Sequence, residues 1–362
     1  MKELILSSAV ESVGYACFAD SIALESVIFE EGASISVLEK TLFMGCVNLR
    51  RLVLPQISDG IEPDALVDCT KLEELSVPFV GQNADGTGAT NLGYLFGDET
   101  DNYSTVPSSL KKVCVSGSYP IPDEAFDSCR FIEEVILSTE IRQIGANAFA
   151  SCVSLAVISF GENSALQTIG VGAFTGCYDL VAVVIPSGVY QLGEAAFMNC
   201  RELKTVVFEA NDLLQTIERM TFAGCSGLTG IAIPASVTQL GVSAFSGCSV
   251  LESINIPQGV TKLLDNVFAG CGFRTLTFGA DCAITEIGEF AFMGCSRLES
   301  VRFSEGSKVR SIGKNAFSEC DLLNTVELPE GLITLGESVF SHCRALKSVS
   351  YTHLRAHETS AH

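Results

Sequence analysis

One cysteine position returns along almost the whole of this 362-residue chain. Apart from one gap of 60 residues, successive members are 23 to 25 residues apart, and a phenylalanine stands three positions before eleven of the twelve. The twelve are Cys46, Cys69, Cys129, Cys152, Cys177, Cys200, Cys225, Cys248, Cys271, Cys295, Cys320 and Cys343. A fixed period in this range is typical of stacked units, none of which can bury its apolar face alone. The sequence therefore predicts a repeat solenoid.

Each unit contains three recurring segments. A Leu-x-x-Val-x-Ile segment, as in residues 180–185 and 251–256, is rich in β-branched residues and predicts a short strand, often followed by proline. A Val-x-x-Leu/Ile-Gly segment predicts a second extended piece, with the glycine turning the chain. The segment that ends in Phe-x-x-Cys predicts a single helical or 3-10 turn. We expect about fourteen short strands stacked in one parallel sheet.

The composition excludes several classes of protein. Apolar residues make up 47% and charged residues 18% of the chain, which argues against disorder. No apolar run reaches the 18 residues or so of a membrane-spanning helix. A net charge of −21 argues against nucleic acid and anionic membrane surfaces as partners. We attribute this charge to the solubility of a long apolar stack.

The fifteen cysteines predict free thiols in the core. Twelve share one repeat position, and coils of a parallel stack lie about 4.8 Å apart. A disulfide needs Cβ atoms about 3.8 Å apart, so neighbours in this column fit one poorly, whereas a buried cysteine behaves as a small hydrophobe. The chain contains no Cys-x-x-Cys pair that would favour a zinc site or thioredoxin-like chemistry.

We predict one solenoid domain over residues 1–349. Residues 78–119 interrupt the rhythm with a stretch rich in Gly, Asn, Asp and Thr, an irregular insertion in which Tyr94-Leu-Phe96 takes the place of the missing turn segment. Residues 350–362 follow as a non-repeat tail, and their abrupt change in composition suggests a non-native end. Residue 6 already lies inside a repeat and no signal peptide or anchor is evident, so we expect the chain to be part of a longer protein.

No catalytic constellation is evident, so we predict that the chain is not an enzyme and needs no cofactor or metal. His342 is the one histidine inside the repeats and is expected to be an exposed polar residue. His353 and His357 have the i, i+4 spacing of a metal pair but lie in the non-repeat tail. Residues 97–102 gather acidic and amide oxygens without the spacing of a calcium loop, which favours a solvated loop.

The strand segments predict one candidate binding face. Residues on either side of the buried valine in each strand point away from the core. Along the stack they are small and apolar at the centre and charged or polar towards the ends, an arrangement that suits a protein contact. The predicted contact residues are Ile136, Val157, Ser159, Ala182, Val184, Thr205, Val207 and Ala232. The alternative is that valine and threonine simply suit strands.

The unit Ile-Pro-x-x-Val-x-x-Leu-Gly-x-x-Ala-Phe-x-x-Cys-x-x-Leu resembles the BspA-type leucine-rich repeats of many microbial surface proteins. Residues 231–254 follow that pattern closely, and the resemblance covers about residues 4–349. It implies a curved, β-rich solenoid of the leucine-rich-repeat type. It also implies a non-enzymatic adhesion or protein-interaction module of a bacterial protein, at the cell surface or secreted, whose ligand is a host or neighbouring-cell protein or a glycan. The alternatives are an intracellular scaffold, or repeats attached to a catalytic domain outside this chain.

Overall fold

The computed structural model describes residues 2–210 and 212–351. The chain divides into two compact units, residues 1–213 and residues 214–362, each built from stacked coils. Almost all regular structure in the described residues is strand, and the one helix among them is a 3-10 helix, Leu92–Phe96. The predicted extent of one domain over residues 1–349 stays a prediction.

Fourteen strands belong to the first unit. They are β1 (Glu3–Leu6), β2 (Ser26–Phe29), β3 (Ser34–Leu38), β4 (Arg51–Val53), β5 (Gln56–Ile61), β6 (Glu74–Val77), β7 (Lys112–Val115), β8 (Glu134–Leu137), β9 (Gln143–Ile144), β10 (Val157–Ser159), β11 (Thr168–Ile169), β12 (Ala182–Ile185), β13 (Gln191–Leu192) and β14 (Thr205–Phe208).

The second unit contributes twelve strands. They are β15 (Thr216–Ile217), β16 (Gly230–Ala232), β17 (Gln239–Leu240), β18 (Ser253–Asn255), β19 (Lys262–Leu263), β20 (Thr275–Phe278), β21 (Glu286–Ile287), β22 (Ser300–Phe303), β23 (Ser311–Ile312), β24 (Thr325–Leu328), β25 (Thr334–Leu335) and β26 (Ser348–Tyr351). Residues 352–362, most of the predicted tail, lie outside the described residues.

The strands formed by the Leu-x-x-Val-x-Ile segments, here called the front strands, pair in parallel as predicted. In the first unit, β1, β2, β4, β6, β7, β8 and β10 form one sheet in that order, and β12 pairs with β14. In the second unit, β16 pairs with β18, and β20, β22, β24 and β26 form a sheet. Fifteen front strands are described, close to the fourteen expected, but they form two hydrogen-bonded sheets in each unit, so the prediction of one continuous sheet was wrong. The predicted parallel solenoid is confirmed.

The two-residue strands formed by the Val-x-x-Leu/Ile-Gly segments make a second set of parallel pairs. These back strands are β9, β11 and β13 in the first unit, and β15 with β17, then β19, β21, β23 and β25, in the second. A Cβ on Gly193, after β13, would lie 2.5 Å from the carbonyl carbon of Gly170 in the preceding coil. Glycine is therefore needed here because two backbones approach closely, in addition to turning the chain.

The segments ending in Phe-x-x-Cys are successive turns. Met198 N–H donates to the Ala195 carbonyl at 3.0 Å, and Cys200 N–H donates to the Phe197 carbonyl at 3.2 Å. Ala195 and Asn199 have φ of 55° and 62°, left-handed values that prevent these turns from joining into a helix. Backbone hydrogen bonds also join neighbouring coils at these turns: Phe174 N–H donates to the Ala196 carbonyl at 2.7 Å.

Phenylalanines and cysteines from these turns fill the core of each coil. The rings of Phe126, Phe149, Phe174 and Phe197 stack in sequence at centroid distances of 4.8, 5.1 and 5.2 Å, with neighbouring planes within 9° of parallel. All four rings are fully buried. Stacking of this kind adds about 0.5–1.5 kcal/mol per pair to the burial of the rings.

The insertion at residues 78–119 leaves the stack intact. β6 pairs directly with β7, Glu74 opposite Lys112, although 34 residues lie between the two strands. The buried 3-10 helix Leu92–Phe96 occupies the turn position, since Leu66 N–H donates to the Leu95 carbonyl at 2.8 Å and Leu92 N–H donates to the Ala125 carbonyl at 2.9 Å. The structure thus places residues 94–96 where the sequence predicted a substitute turn.

Candidate binding face

The predicted contact residues point outwards from front strands. In β12, Ala182 and Val184 are exposed while Val183 and Ile185 are buried. Seven of the eight lie on β8, β10, β12 and β14 of the first unit, and Ala232 is an exposed residue of β16 in the second. The alternation expected from the sequence therefore places these side chains on the outer surfaces of their own sheets.

Strand pairing brings several of these residues together. Ala182 lies opposite Thr205, and Val184 lies opposite Val207. The side chains of Val184 and Val207 are 48% and 45% exposed. Directly opposed residues of neighbouring strands have Cβ atoms about 4.5–5.5 Å apart, so these two valines form one apolar surface.

Strand β10 extends this surface. Val157 is 49% exposed, and Val181 N–H, just before β12, donates to the Ala156 carbonyl, just before β10, at 3.4 Å. We call Val157, Ala182, Val184, Thr205 and Val207 the apolar patch. Ile136 and Ser159, which lie opposite each other on β8 and β10, are half-buried and contribute less surface.

A row of alternating charges lies on the strands before the patch. Arg51, Glu74, Lys112 and Glu134 occupy matching positions on β4, β6, β7 and β8. Arg51 Nε lies 3.3 Å from Glu74 Oε2, and Lys112 Nζ lies 2.9 Å from Glu134 Oε2. The hydrogen bond that the Lys112 ammonium donates to Glu134 raises the pKa of Lys112. We call these four residues the charged row; it runs up to β8, beside β10.

Two neighbouring apolar residues could not be found from strand alternation. Val181 precedes β12 and is 44% exposed. Tyr178 directly follows Cys177, one of the twelve cysteines at the repeated position, here called the ladder cysteines. The Arg201 guanidinium carbon lies 4.5 Å from the centre of the Tyr178 ring. The only sequence signal for Tyr178 is an aromatic residue directly after a ladder cysteine, a position otherwise mostly polar or small.

The acidic residues of the insertion serve as turn formers. Asp98 Oδ1 accepts hydrogen bonds from Thr100 N–H at 2.8 Å and from Asp101 N–H at 3.0 Å. Asp101 Oδ1 accepts one from Tyr103 N–H at 2.7 Å. The hydrogen bonds from Thr100 lower the pKa of Asp98. Those from Ser104 and Tyr103 lower the pKa of Asp101. Within residues 2–210 and 212–351, no group of three or more His, Cys, Asp or Glu side chains could hold a metal ion.

The histidines contribute no site in the described part of the chain. His342 is exposed, as predicted, and its Nδ1 lies 2.9 Å from Ser341 Oγ. His353 and His357 lie outside the described residues.

Burial protects eleven of the twelve ladder cysteines from chemistry, and Cys343 is the half-buried exception. All fifteen cysteines lie in described residues and have free thiols, and eleven of them are buried. Burial raises the pKa of the Cys69 thiol to about 12, and it raises those of Cys152 and Cys200 further. Because the thiolate is the reactive species, these thiols are suited to packing.

No helix in the part of the chain that the structure describes is long and apolar enough to cross a membrane.

Parallel coils with short front strands, a phenylalanine stack and an exposed sheet face define a leucine-rich-repeat solenoid. The chain belongs to the family described as "BspA type Leucine rich repeat region (6 copies)", which matches residues 1–84, 119–251, 167–285 and 240–354. The unmatched residues 85–118 fall within the insertion. Such solenoids are generally non-catalytic and generally bind proteins.

Among the solved structures similar to this chain, one with a TM-score above 0.5 supports the fold. A leucine-rich repeat protein from Bacteroides ovatus has a TM-score of 0.51 and 24% identity, over 96% of this chain and 86% of that chain. A leucine rich cell surface protein from Faecalibacterium prausnitzii has a TM-score of 0.37 and 19% identity, over 98% of this chain and 80% of that one. A leucine-rich repeat protein from Eubacterium ventriosum has a TM-score of 0.44 and 17% identity, over 96% and 78%. No curated protein matches the chain significantly.

Proposed function

We propose that this chain is a non-enzymatic protein-interaction module that binds a protein ligand through the apolar patch. The observation that carries the proposal is the pairing of Val184 with Val207 on adjacent strands, both nearly half exposed. Isolated exposed valines need no explanation, but valines clustered on one sheet face expose apolar surface that a partner can cover. Family membership supports a bacterial surface or secreted protein that uses this module in adhesion.

The charged row supplies a polar border for such an interface. Specific interfaces bury about 800 Å² on each partner, more than three valines and two small residues provide. A ligand seated on the patch would therefore also cover part of the charged row. Its exposed ion pairs are worth about 0–1 kcal/mol each to stability, so their larger contribution would be to orient the ligand and speed its association.

The residue types of the patch favour a protein ligand over a glycan. The patch consists of valines with an alanine and a threonine, and the Arg201 guanidinium lies over the ring of the neighbouring Tyr178, where a sugar would otherwise stack. Aliphatic side chains instead match the apolar core of a protein interface, which is surrounded by a polar rim.

Two substitutions on the patch test the proposal. Surface proteins from neighbouring bacterial or host cells are captured on the immobilised chain, and the dissociation constant of the purified ligand is then measured. We expect Val184→Lys with Val207→Lys to weaken binding about tenfold or more, because lysine ammonium groups would be desolvated at the interface.

The matched control is Val171→Lys, at an exposed valine outside the front strands. It should keep wild-type affinity, and all variants should keep the wild-type circular dichroism spectrum. Equal affinity of a folded double variant and the wild type would overturn the proposal.

A further inference from the structure

Two successive front strands in the described part of the second unit are not hydrogen-bonded to each other. β16 pairs with β18, and β20 pairs with β22, but no backbone hydrogen bond joins β18 to β20 in the described residues. Elsewhere in this unit, Thr275 lies opposite Ser300 and Thr325 lies opposite Ser348 in unbroken register. Strands β18 and β20 therefore leave N–H and C=O groups without strand partners.

A bulky residue and a shorter loop explain why these strands do not pair. The strand after Cys271 begins four residues later, at Thr275, whereas the strand after Cys248 begins five residues later, at Ser253. In the shortened loop, Phe273 stands near the place that leucine occupies in other units. Its ring is buried edge-on against Phe268 and Phe292, with centroid distances of 5.6 and 6.2 Å.

The coils stay joined at the turn side while they separate at the front. The Phe268 ring plane is tilted by 21° from Phe245 and by 23° from Phe292, compared with 1° between Phe292 and Phe317. Cys295 Sγ still donates to the Phe268 carbonyl at 3.3 Å, and Phe268 N–H still donates to the Ala291 carbonyl at 2.9 Å. Phe273 thus acts as a wedge between two coils.

The result is a cleft of about 480 Å³ in the front face. Its floor includes Ile254 and Leu276, which are half-buried, whereas the equivalent Val301 and Val326 are 0% and 1% exposed. Its walls include the exposed polar residues Asn255, Thr275 and Thr277. A partly exposed apolar floor between unpaired strand edges suits an extended peptide, whose main chain can bond to an edge while a side chain covers the floor.

The charge of the cleft selects the peptide. Among the described residues that line it, the two charged ones, Glu252 and Asp281, are both acidic. Arg297 Nη1 lies 3.6 Å from Glu252 Oε1, which leaves Asp281 as the stronger attraction for a cation. We propose that this cleft binds an extended segment of a partner protein that carries an apolar anchor side chain next to Lys or Arg. This site goes beyond the proposed function, which concerns the first unit.

A displayed library of random heptapeptides, selected on the full chain at physiological salt, tests the site. We expect enrichment of peptides with Leu, Ile or Phe beside Lys or Arg. Binding of the enriched peptides should weaken about tenfold with Thr277→Lys, which places a cation on an exposed wall without disturbing the core, and severalfold with Asp281→Asn.

Leu322→Lys, at a 51% exposed position outside the lining of the cleft, serves as the matched control and should bind the peptides as the wild type does. The Val184→Lys and Val207→Lys variant should also bind them normally, which separates this site from the apolar patch. Enrichment of acidic peptides, no enrichment, or peptides that bind the Thr277→Lys variant with wild-type affinity would each overturn the proposal.

Discussion

The thiol of Cys200 donates a hydrogen bond to the carbonyl oxygen of Phe174 in the preceding coil, at 3.2 Å. The same bond, at 3.0 to 3.3 Å, recurs along the stack. It is made by Cys46, Cys69, Cys152, Cys177, Cys248, Cys271, Cys295, Cys320 and Cys343. Cysteine suits the position because its side chain is small and apolar and still supplies a weak donor to a buried carbonyl.

This arrangement predicts the order in which thiols react. With Ellman's reagent at neutral pH, the exposed Cys17 should react first, followed by the half-buried Cys114, Cys282 and Cys343. The eleven buried thiols should react only after unfolding, because reagent access and thiolate formation are both suppressed. Cys17→Ser should remove the fastest phase. Rapid reaction of more than four thiols in the native protein would contradict the buried ladder.

The same burial predicts a loss of stability at alkaline pH. Desolvation raises the folded-state pKa of Cys69 and of Cys295 to about 12, from an ordinary value of 9.0. Above pH 9 the unfolded chain loses these protons while the folded chain keeps them. The free energy of unfolding should therefore fall between pH 9 and 12, by up to about 1.4 kcal/mol per pH unit for each such thiol.

Urea unfolding at several pH values, under reducing conditions, measures this slope. Cys69→Ala should reduce the slope by up to about 1.4 kcal/mol per pH unit, the contribution of one buried thiol. Cys17→Ala, which removes an exposed thiol, is the control and should keep the wild-type slope. If the slope of Cys69→Ala equals that of the wild type, the thiol is not the source of the effect.

The close approach of two backbones at Gly193 predicts a packing defect on substitution. A Cβ on Gly193 would lie 2.5 Å from Val171 N and from the carbonyl carbon of Gly170, and backbone atoms cannot move aside cheaply. Gly193→Ala should lower the free energy of unfolding by about 1–3 kcal/mol through overpacking, as urea unfolding followed by circular dichroism would show. Gly14→Ala is the matched control, since nothing lies within 4 Å of its Cβ position. Similar stability of the two variants would contradict the close approach of the coils.

The charged row predicts a substitution whose effect on stability depends on the salt concentration. Glu74 lies between Arg51 and Lys112 on adjacent strands. Glu74→Lys would place three cations in a row and should destabilise the fold by about 1 kcal/mol at low salt, because attraction is replaced by repulsion. High salt should reduce the effect by screening. Glu74→Gln, which only removes the attraction, should have a smaller effect, and thermal unfolding of both variants at two salt concentrations measures the difference.

Strand alternation allowed most of the binding face to be predicted, but not how much surface each residue exposes. Ala182, Val184, Thr205 and Val207 point outwards because the side-chain period of a strand is two. Ile136 obeys the same alternation and is nevertheless half-buried, because its exposure depends on neighbouring coils. Tyr178 and Val181 lie outside the strands, so no periodicity indicates them.

The sequence by itself determined the solenoid, its parallel front strands, the buried phenylalanine and cysteine columns, and the insertion that leaves the stack unbroken. It could do so because each unit repeats the same local pattern, and identical patterns pack against one another in one way. The tertiary structure alone decided the pairing of Arg51 with Glu74, the contact that requires Gly193, and the cleft wedged open by Phe273. These features depend on the distance between neighbouring coils. Shortening a loop by one residue changes that distance, and the sequence of a single unit does not encode it.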